Sequence, residues 1–175
     1  MKMTFGAALA SLALIALPAL AESPSDAQIA SIVVTANQVD IDAGKFAQAH
    51  ATSADVKKFA QQMITDHTAV NKSATDLVQK LHVTPEDNAT AQSLKSGGEK
   101  NVSHLTSLSG AAFDRAYVDH EVSYHQSVID ALDNTLIPSA QNAELKALLV
   151  KVRPAFVAHL EHAKKVQAEL SSKAQ

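Results

Sequence analysis

The feature that most narrows what this chain can fold into is a spacing. Apolar residues recur at alternating intervals of three and four along four long stretches. On 54–81 the series is Val56, Ala60, Met63, His67, Val70, Ala74, Leu77 and Leu81. On 111–136 it is Val118, Val122, His125, Ile129, Leu132 and Leu136. On 141–171 it is Leu145, Leu149, Val152, Phe156, His159, Ala163, Val166 and Leu170. On 25–50 it is Ile29, Val33, Ala36, Asp40, Ala43, Ala47 and His50, with Ile32, Val39 and Phe46 as an equally good neighbouring stripe. This is the period of one face of an α-helix, and seams of this kind close against each other in antiparallel helices at shallow angles. The expectation is an all-α, antiparallel four-helix bundle.

Composition agrees. Only 5 Gly, 5 Pro and 4% aromatic residues interrupt a chain rich in good helix formers. The breakers are Ala51-Thr52-Ser53, His82 to Pro85, Ser96-Gly97-Gly98, Ser109-Gly110 and Ile137-Pro138-Ser139. Ser53 and Thr84 read as N-caps, the latter with Pro85 at the first helical position. Between the second and third long helices a weaker, partly helical crossover is expected, broken at the Gly97-Gly98 pair. Pro154 inside the last helix predicts a kink.

The N-terminus reads as a secretory signal over residues 1–21: Lys2, an apolar core from Phe5 to Leu17, then Ala19-Leu20-Ala21 as a cleavage site. Residues 22–175 would then be one exported, periplasmic domain, with no membrane-spanning segment left after cleavage. Without Lys2, 14 basic side chains face 18 acidic ones in an interleaved pattern. That pattern offers no basic patch or aromatic platform for nucleic acid. The chain has no Cys, which excludes disulfides, thiolate ligands and thiol redox chemistry.

Four seam positions are polar: Asp40, His67, His125 and His159, one on each long helix. Counted from the short turns, they fall within about two helical turns of mid-bundle. Buried imidazoles and carboxylates need partners. Glu121, one turn before His125, and His162, three residues after His159, can join them. Histidine and carboxylate without thiol suit a divalent metal: iron, manganese, zinc or copper. Asp66 points about 100° off the seam and reads as a helix-face acid. Asp119 and His120 read as solvated, Tyr117 and Tyr124 as core tyrosines with bonded hydroxyls, and His50, His82 and His104 as surface groups or helix-end caps.

The blocks DIDAGKFA from Asp40, VKKFAQQMITDH over 56–67 and FDRAY over 113–117, with the later His125 and His159, resemble an exported bacterial family called domain of unknown function 4142. The resemblance implies a ferritin-like four-helix bundle in the periplasm or envelope and brings no agreed activity. The Glu plus Glu-x-x-His pattern of di-iron bundles is not repeated here. Three readings stay open. One is a binding site for a metal ion or small ligand built from His67, His125, His159, Asp40, Glu121 and His162, with a metal-handling or stress role. Another is a non-enzymatic structural or interaction protein that partners an envelope component and whose histidines form an internal hydrogen-bond network. The third is an enzyme, a divergent di-metal oxidase or peroxide scavenger. A homo-oligomer stays open as well.

Overall fold

The computed structural model describes residues 23–172. The candidate signal segment, 1–21, lies outside the described residues. Those described are all-helical: α1 (Asp26–His50), α2 (Ala54–Lys80), α3 (Ala89–Thr106), α4 (Gly110–Ala131), a π-helical turn (Leu132–Leu136), the short α5 (Ile137–Ser139) and α6 (Ala143–Ser172). None of the described helices is long and apolar enough to cross a membrane. α1 packs on α2, α3 and α4, while α6 packs on α4 and α2. The four long helices thus form a helical bundle with α3 laid along its outside.

Local chemistry sets the helix ends. Ser25 and Gln28 form a capping box at the start of α1 (3.1 and 3.2 Å). The N-terminus of α2 is capped from a distance. The Ser53 side chain makes no cap bond; the buried Asp114 carboxylate instead accepts from Thr52 N, Ser53 N and Thr52 Oγ1 at 2.9, 2.8 and 2.6 Å. The acid of the FDRAY block is therefore a clamp between the two hairpins. Asp26 does the same for α6, accepting from Gln141 N and Asn142 N, both at 2.9 Å. At the end of α2, Val83 N–H reaches Val78 C=O and His82 N–H reaches Gln79 C=O, with His82 at φ 53°. That is a Schellman stop in which His82 occupies the left-handed position usually given to glycine.

Two expectations about the chain are corrected. The Thr84-Pro85 segment does not begin a helix. Glu86 N–H bonds Ala27 C=O (3.0 Å) and Asn88 Nδ2 donates to Gln28 C=O (3.3 Å), which stitches 83–88 to α1, and α3 starts only after the Asn88 cap. The helix then runs unbroken through Gly97-Gly98. A methyl placed on Gly98 would stand 2.7 Å from Val39 Cγ1 and 3.3 Å from its Cβ, so the missing side chain is what lets α3 lie close on α1. α6 runs on through Pro154, as its unbroken seam implies. The carbonyl deprived of a partner there belongs to Val150, an exposed residue on the watery side of the helix.

Helix α4 ends earlier than its seam suggests. From Leu132 to Leu136 the backbone widens to a π turn, closed by Ile137 N–H on Leu132 C=O. Pro138 follows; it has no N–H to offer Asn134 and its ring would crowd that carbonyl in α register. Asp133 in the turn is held by Arg153 of α6, Nε at 2.5 Å and Nη2 at 2.6 Å.

The core is split in two. One apolar block gathers Ile29, Val33, Ile129, Leu149, Phe156 and their neighbours, and the other Ala47, Val56, Phe59, Met63, Phe113 and Val166 with theirs. Between them, at similar height on all four long helices, lie the buried polar residues Asn37, Asp40, His67, Glu121, His125 and His159.

The two adjacent glycines of α3 make opposite predictions. A methyl at Gly97 meets nothing within 4 Å. Gly97→Ala should therefore raise stability in denaturant titration by about 0.8–1 kcal/mol, the helix-propensity difference. Gly98→Val should lower it by about 1–3 kcal/mol through overpacking against Val39.

Candidate metal centre

The buried polar layer is built by four helices. α1 brings Asn37 and Asp40, α2 His67, α4 Glu121 and His125, α6 His159. The three imidazoles form a near-equilateral triangle, with centroids 5.6 Å apart for His67–His125, 5.1 Å for His67–His159 and 5.4 Å for His125–His159. Phe156, one turn before His159, packs edge-on against His67 at 5.3 Å and closes one side. Each of His67, His125 and His159 has a ligand atom within 4.8 Å of those of the other two; Asp40, Glu121 and His125 form a second such group.

What each ring does with its outer nitrogen fixes what the inner one offers. Asn37 donates its amide to Val33 C=O (2.8 Å), so its oxygen faces His67, and His67 Nδ1 must be the donor at 2.7 Å. His125 Nδ1 donates to the backbone carbonyl of Glu121 at 3.0 Å. His159 Nε2 donates to the Asp66 carboxylate at 2.9 Å. A neutral imidazole carries one N–H. Its other nitrogen is then a lone-pair acceptor: Nε2 of His67, Nε2 of His125 and Nδ1 of His159. These three atoms are buried and make no hydrogen bond. Both carboxylate oxygens of Asp40 share that condition. Asp40 Oδ2 lies 3.1 Å from His67 Nε2 and 3.5 Å from His125 Nε2. With the rings neutral, acceptors therefore face acceptors in the buried layer.

Electrostatics sharpens this. Burial pushes the Asp40 carboxyl up, but the attraction of His67, His125 and His159 outweighs it and holds the group below its usual value. Burial, reinforced by Asp40, lifts Glu121 well above the ordinary 4.5. Burial drives His125 down to about 4 against the pull of Asp40, and lowers His159 too, despite Asp66. At neutral pH the layer thus holds an ionised Asp40 next to a neutral His125, with Glu121 biased toward its protonated form.

Five of the six residues expected from the sequence, His67, His125, His159, Asp40 and Glu121, come together. His162 does not join them. Its Nδ1 meets Gln62 Oε1 at 3.0 Å and its ring stands edge-on to Phe59, because three residues past His159 the helix surface has turned toward α2. Asp66 is no mere surface acid, since it orients His159. Asn37 was missed altogether. Its signal is its place on the α1 stripe, four residues after Val33 and three before Asp40. The Tyr124 hydroxyl donates to Ala36 C=O (2.8 Å) as expected of a core tyrosine, whereas the buried Tyr117 hydroxyl makes no hydrogen bond. His120 is half-buried and stacked on Tyr124 at 5.7 Å rather than solvated. Asp119 is exposed and accepts from Gln167.

Residues 13–166 match the family described as Domain of unknown function (DUF4142). The chain belongs to that family. No curated protein and no solved structure matches it. The DUF4142 match covers both hairpins and every residue of the polar layer.

The titrations predict how the metal-free DUF4142 chain responds to pH. His120, His125 and His159 are lowered from 6.5, so in acid the unfolded chain binds protons that the folded chain refuses. Stability should therefore rise with pH up to about 6.5, His125 alone contributing about 3 kcal/mol across its window. Glu121 has the opposite sign. Above 4.5 the folded chain keeps a proton the unfolded chain has lost, so this contribution drains away as pH rises. Denaturant midpoints should rise between pH 4 and 6.5, and Glu121→Gln should make that rise steeper.

Proposed function

We propose that this protein binds one divalent transition-metal ion at the centre of the bundle, through His67 Nε2, His125 Nε2 and His159 Nδ1, with Asp40 as the carboxylate ligand. The observation that carries this reading is the set of inward nitrogens. Three imidazoles on three helices have their outer N–H groups bonded to acceptors, leaving three lone pairs and a carboxylate facing one another. Lone pair against lone pair repels unless a cation lies between. Metal-ligating histidines are held in this manner, with the non-ligating N–H given to an amide oxygen, a backbone carbonyl or a carboxylate. Zinc, iron(II), manganese(II) and copper(II) fit such a donor set.

A single ion fits better than a pair. His125 belongs to both candidate groups, but its Nδ1 is committed to the Glu121 carbonyl, so it has one nitrogen to give. Glu121 leans to its neutral form beside Asp40, which suits a supporting role more than a second bridging carboxylate. The reading extends to a ferritin-like bundle exported to the periplasm or envelope, where binding would serve metal buffering or protection under stress. That part rests on the N-terminal sequence and the family resemblance.

A proton could relieve the same repulsion, turning the layer into an internal hydrogen-bond network. Metal analysis separates the two. Purified full chain, stripped and dialysed against each metal in turn, should take up one ion per chain, and His125→Ala should lose stoichiometric binding. Asp66→Asn should weaken affinity about 10–100-fold while leaving the stoichiometry at saturation. Chelation should lower the thermal midpoint by roughly 5–10 °C if the ion was held at about a hundred times its Kd. Equal, sub-stoichiometric uptake by wild type and His125→Ala would end the metal reading.

A further inference from the structure

Beside the polar layer lies a partly open cavity of about 140 Å³ lined by α1, α3, α4, the π turn and α6. Its walls are side chains of the first apolar block, among them Val33, Leu132, Leu136, Leu149, Val152 and Phe156. Leu132 and Leu136 of this set belong to the π turn, a helical widening that recurs at functional sites. Phe156 and Asn37 separate the cavity from His67.

The polar groups on its wall are almost all spent. Asn37 uses its amide nitrogen on Val33 C=O and its oxygen on His67. The Tyr124 hydroxyl is bonded to Ala36 C=O, and Ser127 Oγ to Ser123 C=O. Thr90 and Ser127 are exposed, which places the mouth between α3 and α4. A buried water needs two to four polar partners, and apart from Thr90 and these already bonded groups the wall is apolar, so a water there would find few. A sealed cavity of about 150 Å³ lined only by Leu, Ile and Phe stays dry and takes up benzene, and this one is close to it in size and mostly apolar.

We propose that this cavity is a binding site for a small, uncharged, apolar molecule of about the size of benzene, seated against Phe156 and one side chain away from the histidine layer. The size sets the limit on the ligand, and the largely apolar wall sets its polarity. A charged or strongly hydrogen-bonding molecule would lose its water shell on entry and gain nothing in exchange. The site stands independently of the metal, since its walls and polar accounting involve no free nitrogen or carboxylate of the layer.

The test uses chelator-treated full chain, so that the metal plays no part, with benzene as the probe. Saturable binding should raise the thermal midpoint by about 3–6 °C at ten times the measured Kd. Methyl signals of Val33, Leu132 and Val152 should shift, while those of Val56 and Val166 in the other apolar block stay put. Ala131→Phe, which projects a ring from the cavity wall into the space, should abolish both effects; Val152→Phe from the opposite wall serves if that variant does not fold. No saturable shift in wild type, or the same shift in a folded, filled variant, overturns the proposal. Metal stoichiometry in untreated protein is a separate measurement, so failure here leaves the metal reading standing, and the reverse.

Discussion

Everything in this bundle is arranged around a layer of groups that water would hold more comfortably than protein. Six polar residues interrupt the core at one height, and the two apolar blocks above and below must compensate for them. Burying such groups costs several kcal/mol unless they are paired. The pairing that exists is one-sided, because the outward N–H groups are satisfied and the inward acceptors are not. An apolar layer would be the simpler solution for stability alone. Stability alone therefore does not explain the layer.

The four seams were legible in the sequence because a 3.6-residue period leaves its mark on every turn. The polar layer was legible for the same reason: histidine and aspartate in positions that should be apolar are conspicuous. The supporting residues were harder to see, for a physical reason. Asn37 and Asp66 sit beside their seams, and which neighbour such a residue reaches depends on how the adjoining helix is placed. Asp66 looks solvent-facing on an isolated α2; only the approach of α6 makes it the acceptor for His159. The reverse error befell His162, whose H-x-x-H spacing is suggestive on paper while its direction is toward Gln62.

The glycine pair of α3 shows how a local rule yields to packing. Two helix breakers in sequence predict a break, and each costs about 1 kcal/mol of helix propensity. The helix forms regardless because Gly98 lets it lie against Val39, a gain that no local pattern contains. Asp114 makes the same point about motifs. The acid of the FDRAY block has a partner that no local pattern contains, because its carboxylate closes the α1–α2 turn from the other hairpin through three bonds.

The way the rings are oriented makes their geometry a reporter of the fold. His125 takes its direction from its own helix, through the carbonyl four residues earlier, and would keep it if the helices shifted. His67 is aimed by α1 and His159 by α2, so their lone pairs converge only when both neighbours are in place. The α2–α6 contact is carried in part by the polar pairs Asp66–His159 and Gln62–His162, which are weaker and wetter than the apolar seams. A cation gathered by all three nitrogens would tie that seam to the other two. Binding and the closing of the bundle are then one equilibrium, in which any group that prefers the converged rings draws α2 and α6 together.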